Sequence, residues 1–391
     1  MNAKTIFPLI VLGCLAATGL SPAAVKSTPS ATPSANAPAV PPKEEAPRIE
    51  VCFVLDTTGS MGGLIEGAKQ KIWAIANEMV RPKPTPQIRF GLVGYRDLKD
   101  EYVTKTFNLT DDLDSIYGHL RAFQANGGGD TPEAVNEALA EAVRKMDWSA
   151  DRKVLKIVFL VGDAPPHMDY PNGPKYADVC QEAMKKDLII NTIQCGNMSE
   201  TTPIWQEIAR RSEGTYVAIG QTGNMVVMAT PMDKDLAELN RQVGKTLIAY
   251  GVESERKAVM LKQTASESAP APAAADRLYF NAASRKAVQG TGELLDAISE
   301  GKLKLAEVKK DELPEELRNL SPTELNSHVE KQQQARSELQ KQIAELGKKR
   351  ENWLNEERKR LAGSDKRDAF DEKVAETIRA QAAKKDIVYP K

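Results

Sequence analysis

The side chains best suited to chemistry in this sequence are carboxylates and hydroxyls that directly follow apolar segments. One carboxylate and two hydroxyls occupy alternate positions of the tight turn 56–60, directly after the apolar segment 49–55. Thr131 follows three consecutive glycines, and Asp163 follows the apolar run 154–162. The oxygen-bearing set is Asp56, Thr58, Ser60, Thr131 and Asp163. Such hard oxygen ligands suit a divalent ion such as Mg²⁺, which keeps several of its waters.

An alternating series of strands and helices is predicted to carry these turns. Strands are predicted at 49–56, 87–95, 102–109, 154–162, 188–195 and 215–219. Helices are predicted at 62–80, 112–123, 131–146, 176–186, 203–212 and 233–250. This alternation is typical of an α/β fold with a doubly wound, mostly parallel sheet flanked by helices on both faces. The run 154–162 has the continuous apolar character of a central parallel strand. Ligands bind beyond the carboxyl ends of such strands, which is where all three polar turns fall.

In order and spacing these residues resemble the von Willebrand factor type A (vWA) domain and its metal-ion-dependent adhesion site, or MIDAS. The family pattern Asp-x-Ser-x-Ser is met by Asp56, Thr58 and Ser60, with threonine replacing the first serine. The later threonine and aspartate of the pattern match Thr131 and Asp163. The sequences GGGDTPEA and VGDAPPH are most similar to A domains of hemicentin-like and bacterial secreted proteins. The resemblance covers residues 49–252.

The resemblance implies a binding mechanism. The five side chains would hold Mg²⁺, with Mn²⁺ as an equivalent and Ca²⁺ as an alternative, and would leave one coordination position open. An Asp or Glu of a protein partner would fill that position, and the field of the ion would supply much of the specificity.

Simpler roles are available to the same residues. Thr131 could cap a helix, and Asp130 with Glu133 has the spacing of a capping box. Asp56 and Ser60 could serve only to hydrogen-bond a turn. His167 is interpreted as a loop residue beside the site, able to add pH dependence to binding.

The N-terminal 48 residues are predicted to be a leader and a tether. Residues 1–23 have a lysine followed by an apolar stretch and small residues, as in a secretory signal peptide cleaved after Ala23. The alternatives are a lipoprotein anchored at Cys14, which ends a lipobox-like sequence, and an uncleaved anchor. Residues 24–48 are rich in Pro, Ala and Ser and are predicted to form a flexible linker. Localisation is therefore expected to be periplasmic or secreted.

The C-terminal third is predicted to be mainly helical. A linker is expected at 253–276, followed by a helical region at 277–391. Ser321 and Glu324 form a capping-box pattern for a long helix at 321–362, interpreted either as a coiled coil or as an amphipathic helix packed on its own neighbours. Since the linker would separate the two regions, removal of 314–391 is expected to leave the vWA domain folded.

Composition narrows the function further. The chain has 391 residues with 53 Lys plus Arg against 54 Asp plus Glu, a net charge of -1, which excludes a whole-chain basic footprint for nucleic acid. Membrane contact is expected only through an N-terminal lipid or anchor. Cys52, Cys180 and Cys195 remain after signal removal; an oxidising compartment permits one disulfide, which the sequence does not identify.

The function predicted from the sequence is an extracytoplasmic metal-dependent protein-binding or adhesion module that is not an enzyme. A second hypothesis is a scaffold or assembly factor of an envelope complex, with its main contact on the C-terminal helix and a structural metal. A third is a hydrolase in which the metal activates water, but no residue is placed as its general base.

Overall fold

A computed structural model describes residues 46–223, 227–361 and 369–389. The predicted signal peptide, Cys14 and nearly all of the 24–48 linker lie outside these residues. Among the described residues, no helix is long and apolar enough to cross a bilayer.

The core of the fold is a six-stranded sheet in the order β3-β2-β1-β4-β5-β6. The strands are β1 Arg48–Asp56, β2 Gln87–Tyr95, β3 Thr104–Thr110, β4 Leu155–Gly162, β5 Leu188–Cys195 and β6 Tyr216–Ile219. All neighbours pair in parallel except β3, which runs antiparallel to β2. Every residue of β4 is buried, which confirms the predicted central strand. The predicted fold class is therefore correct.

Helices cover both faces of the sheet and extend beyond it. They are α1 Gly62–Met79, α2 Leu113–Ala122, α3 Val135–Ala140, α4 Tyr176–Lys185, α5 Thr201–Arg211, α6 Asp233–Gly244, α7 Glu253–Glu267, α8 Ala271–Ala283, α9 Leu294–Ser299, α10 Pro322–Leu361 and α11 Ala369–Ala383. Side chains alternate across a strand, so Val51 and Phe53 of β1 join the core under α1, whereas Cys52 and Val54 join the core under α3 and α4.

The structure corrects the predicted linker at 253–276. These residues form α7 and the first part of α8, and Ala273, Ala274 and Ala275 are buried. A Pro/Ala/Ser-rich composition suggested a linker, but here Pro272 lies in the first helical turn, where proline is tolerated. The small alanines let α8 pack closely against α6.

The C-terminal helices belong to the same compact unit as the sheet, which spans Glu45–Lys391. Phe280 of α8 lies against Trp73 of α1 and Phe90 of β2, with ring centroids 5.7 and 6.3 Å apart. Val374, Ile378 and Ala382 of α11 complete the same core. The sheet therefore does not close on residues 49–252 alone.

Helix α10 confirms the predicted long helix. Glu324 Oε2 accepts a hydrogen bond from the backbone N–H of Ser321 at 2.8 Å, as the capping box requires. Val329, Leu339 and Ile343 are buried, and the helix packs on α6 and α8. The helix thus packs on its own neighbours, the second of the two interpretations from sequence.

Candidate metal site

Two carboxylates meet at the carboxyl ends of the neighbouring strands β1 and β4. Asp56 ends β1 and Asp163 directly follows β4, whose residue Val161 is paired with Leu55. Gly162 makes this approach possible, because a Cβ there would lie 2.9 Å from the Cβ of Asp56 and would also collide with the hydroxyl of Tyr95. Asp56 is 0% exposed and Asp163 is 8% exposed. Parallel pairing therefore places the two predicted carboxylates side by side.

The turn after β1 brings the hydroxyl of Thr58 to Asp56 and the hydroxyl of Ser60 to that of Thr58. Thr58 donates to Asp56 Oδ1 twice, from its backbone N–H at 2.8 Å and from its hydroxyl at 2.6 Å. The hydroxyls of Thr58 and Ser60 lie 3.3 Å apart. Because both donors of Thr58 take the same carboxylate oxygen, Oδ2 of Asp56 is left buried and without a hydrogen-bond partner.

The electrostatics of the pair favour a cation. Burial, opposed by hydrogen bonds from Thr58 and reinforced by the charge of Asp163, raises the pKa of Asp56 to about 7. The hydroxyl of Tyr95 is also buried without a partner, and burial together with the charges of Asp56 and Asp163 raises its pKa. Orphaned oxygens around two close carboxylates are what a hydrated divalent ion would satisfy. The residues present therefore fit the ion that the sequence predicts.

Thr131 is not joined to the other four residues by any hydrogen bond among the described parts of the chain. It is exposed, on a loop whose residue Gly128 does contact the site, since a Cβ at Gly128 would lie 3.0 Å from the Cβ of Thr58. Gly128 has a φ of +68°, a conformation that glycine adopts without strain. The structure thus groups Asp56, Thr58, Ser60 and Asp163, and the assignment of Thr131 as a ligand stays a prediction.

The capping role considered for Asp130 and Glu133 is wrong. Helix α3 begins at Val135 rather than at 131, and its first turn has no side-chain cap. Glu133 instead pairs with the loop after β4, where its N–H donates to the carbonyl of Pro165 at 3.0 Å and its carbonyl accepts from His167 at 3.1 Å. Segment 131–134 is therefore held by that loop and does not enter the helix.

Glu133 is a buried carboxyl group near the site that the sequence analysis did not place there. It is 5% exposed, and its Oε2 is buried without a partner. Burial and the nearby charges of Asp56 and Asp97 raise its pKa to about 9. No group of three or more His, Cys, Asp or Glu side chains placed to hold a metal occurs among the described residues. Glu133 lies close enough to Asp56 and Asp163 for their charges to raise its pKa, so it borders the two-carboxylate site.

His167 ties two loops together beside the site. Its Nδ1 lies 2.7 Å from Asp169 Oδ1, its Nε2 lies 3.4 Å from Asp97 Oδ1, and its ring stacks on Tyr170 at 4.1 Å. Tyr170 in turn donates to Asp97 Oδ1 at 2.7 Å. These contacts agree with its interpretation as a loop residue.

The three cysteines are not assigned to the metal site. Cys52, Cys180 and Cys195 are all buried and free. Burial raises the pKa of each thiol, so they behave as small apolar side chains.

Comparison with known proteins agrees with the sheet. Residues 50–230 match the family model of the von Willebrand factor A domain. This match and the strand order support a vWA domain in the chain.

Two curated relatives cover parts of the same region. An ariadne-like RING finger protein of Acanthamoeba polyphaga mimivirus is 26% identical over 176 residues, 44% of this chain and 17% of the relative. The human von Willebrand factor A domain-containing protein 7 is 34% identical over 120 residues, 31% of this chain and 12% of the relative. This chain thus spans less than a fifth of either relative's length.

Solved structures show more distant similarity. Proximal thread matrix protein 1 from the mussel byssus, solved with zinc in its MIDAS motif, is 18% identical with a TM-score of 0.36, covering 45% of this chain and 42% of that one. The SpRpn10 VWA domain is 14% identical with a TM-score of 0.35, covering 45% of this chain and 89% of that one.

Proposed function

We propose that this chain is an extracytoplasmic binding protein whose vWA domain uses a divalent ion to bind an acidic residue of a protein partner. The observation that carries the proposal is the buried, partnerless Oδ2 of Asp56 beside Asp163. Without a cation, two such carboxylates repel each other in a poorly solvated site. Asp56, Thr58, Ser60 and Asp163 would hold the ion directly or through its waters, and Thr131 would complete the set.

The ion would supply a positive field at the mouth of the site. Mg²⁺ suits the few oxygen ligands and the retained waters, and Mn²⁺ would substitute for it. The residues of the chain would fix the ion in place: Thr58 orients Asp56, while Glu133 accepts hydrogen bonds from bound water. Within residues 46–223, 227–361 and 369–389 we assign no side chain as a general base toward a substrate, and we propose binding rather than catalysis.

Two measurements test this function. Titration calorimetry should detect Mg²⁺ binding to the wild type and none to Asp56→Ala. A pull-down from the protein's native surroundings should then recover a partner with Mg²⁺ and lose it with EDTA. Equal Mg²⁺ binding by both proteins would remove the site from the proposal.

The second candidate is a scaffold that uses α10, with a structural metal. The observation that favours it is the length of α10, 40 residues, in which no residue from 351 to 360 is buried. The following residues bear exposed charges, including those of Arg358, Lys359 and Arg360. Partner binding that survives EDTA but is lost when these three residues are changed to alanine would favour the scaffold.

A further inference from the structure

An exposed glutamine in the turn after β6 reaches the ion site from the side. Gln221 Nε2 donates to Asp163 Oδ2 at 2.7 Å and approaches the carbonyl of Ser60 at 3.4 Å. The same amide therefore contacts the loop after β4 and the turn after β1. Its own turn is held by the N–H of Gly196, which donates to Ile219 O at 2.9 Å.

Two glycines make room for this turn. The carboxamide oxygen of Gln221 lies so close to Gly196 that a Cβ there would collide with it, and Gly196 has a φ of +76°. A Cβ at Gly63, in the first turn of α1, would lie 2.9 Å from the side chain of Thr222. The two glycines therefore let the turn after β6 lie close enough for the Gln221 side chain to reach Asp163.

The contact has a consequence for the ion. Asp163 lies beside the buried Asp56, so without a cation the two carboxylates repel each other. An N–H donor on one oxygen of Asp163 fixes the orientation of the carboxylate and leaves the other oxygen to the ion. Groups that orient a metal-binding carboxylate in this way raise metal affinity because less freedom is lost on binding.

We propose that Gln221 is a positioning residue of the ion site, acting through its hydrogen bond to Asp163. This inference rests on the proposed function, since it requires that the site bind a divalent ion. In this role Gln221 would keep its hydrogen bond to Asp163 when the ion is bound and would not be an ion ligand itself.

Calorimetric titration of the metal-free full chain with Mg²⁺ tests the role. Gln221→Met keeps the length of the side chain and removes the donor, so its Mg²⁺ dissociation constant should rise about tenfold. Since Gln221 is exposed, the melting temperature of the Gln221→Met protein in EDTA should match that of the wild type. The matched control is Gln242→Met, a half-exposed glutamine whose side chain bonds to Glu238 on its own helix, and it should leave Mg²⁺ affinity unchanged.

A second variant reverses the sign of one effect. Gln221→Lys keeps a donor for Asp163 but adds a positive charge, so the melting temperature in EDTA should rise while Mg²⁺ affinity falls more than tenfold.

Unchanged or tighter Mg²⁺ binding by Gln221→Met would overturn the positioning role; tighter binding would mean that Gln221 competes with the ion for Asp163. Failure of the proposed function looks different, because the wild type would then bind no Mg²⁺ or Asp56→Ala would bind it equally.

Discussion

Asp56 carries a charge that the metal-free fold accommodates poorly. Its pKa is about 7 in the folded chain, against an ordinary value of 3.8. Between these values the folded chain retains a proton that the unfolded chain has lost, so stability falls as pH rises through this window. From pH 5 to pH 8 the loss is on the order of 3 kcal/mol.

Asp56→Asn should therefore flatten this dependence. In EDTA we expect the variant to be more stable than the wild type at pH 8 and nearly equal to it at pH 4, because the wild-type carboxyl is protonated there. Urea unfolding at both pH values measures the difference. Equal stabilities at pH 8 would show that Asp56 carries no such cost, and added Mg²⁺ should stabilise only the wild type.

Thr131 tests the one predicted ligand that the structure leaves apart. Its side chain is exposed and caps no helix, so Thr131→Ala should change the free energy of unfolding by no more than about 0.5 kcal/mol. If Thr131 contributes to the ion, Mg²⁺ affinity should nevertheless fall severalfold. Thr323→Ala, an exposed threonine in the first turn of α10, is the control. Unchanged Mg²⁺ affinity would reassign the ligand set to the other four residues.

At the scale of the secondary-structure element, helix α11 contributes side chains to the core and the sheet. Ile378 is 0% exposed in the core under α1. Gln381 exchanges two hydrogen bonds with Asn191 of β5, at 3.1 and 2.7 Å. Lys385 pairs with Asp187 at 2.6 Å just before β5. The helix is therefore attached to the sheet by apolar, polar and charged contacts.

Ile378→Ala should lower the free energy of unfolding by about 2 to 4 kcal/mol, because a fully buried side chain is replaced by a cavity. Arg379→Ala on the same helix removes a partly exposed ion pair with Glu78 and a contact over the ring of Tyr389, and should cost less than about 1 kcal/mol. Urea unfolding compares the two. Similar small losses would mean that α11 is not part of the domain core.

Helix α10 depends on buried charge. Arg336 donates to Glu293 at 2.8 Å, to Asp296 at 3.1 Å and to the carbonyl of Thr246 at 2.9 Å. Burial and the charge of Glu293 raise the pKa of Asp296 to about 6, while Arg336 opposes that rise. Arg336 is 5% exposed, so α10 carries a buried charge into its contact with Thr246 and α9.

Arg336→Met should cost about 3 to 5 kcal/mol near neutral pH, because two buried carboxylates lose their cation. The cost should shrink at pH 5, where Asp296 is protonated. Lys341→Met, which removes an exposed pair with Glu338, is the control and should be nearly neutral. A loss that does not depend on pH would point to packing rather than charge.

At the scale of the molecule, features formed by neighbouring residues could be predicted from the sequence, whereas contacts between distant segments could not. The apolar run of β4 and the turn at Asp56 are contiguous, so strand, turn and carboxylate could be predicted together. Glu133 was misassigned because its spacing from Asp130 also fits a helix cap. The role of Gln381 could not be predicted, since its partner Asn191 lies 190 residues away. The prediction of a linker at 253–276 was wrong because alanines buried in a helix and alanines in a linker give the same composition.

The sequence predicts that the vWA domain stays folded when 314–391 are removed, and the contacts of α8 and α11 with its core argue against an independent unit at 49–252. Phe280 and α11 fill the core beneath α1, so a chain ending at 252 would expose Trp73 and Ile72 to water. We expect residues 46–252 to lack a cooperative melt and the chain lacking only 1–45 to retain one. Calorimetric scans of both compare them directly. A cooperative transition in the shorter chain would restore the boundary predicted from sequence.

The position of α11 near the end of the chain also delays completion of the core during synthesis. The last strand of the sheet has been synthesised at residue 219, but the core beneath α1 is complete only when Ile387 has been synthesised. At ribosomal rates of roughly 5 to 20 residues per second, that gap lasts on the order of 10 s. Throughout it the nascent sheet presents an open apolar groove, so the chain has an extended period in which a chaperone can hold it unfolded.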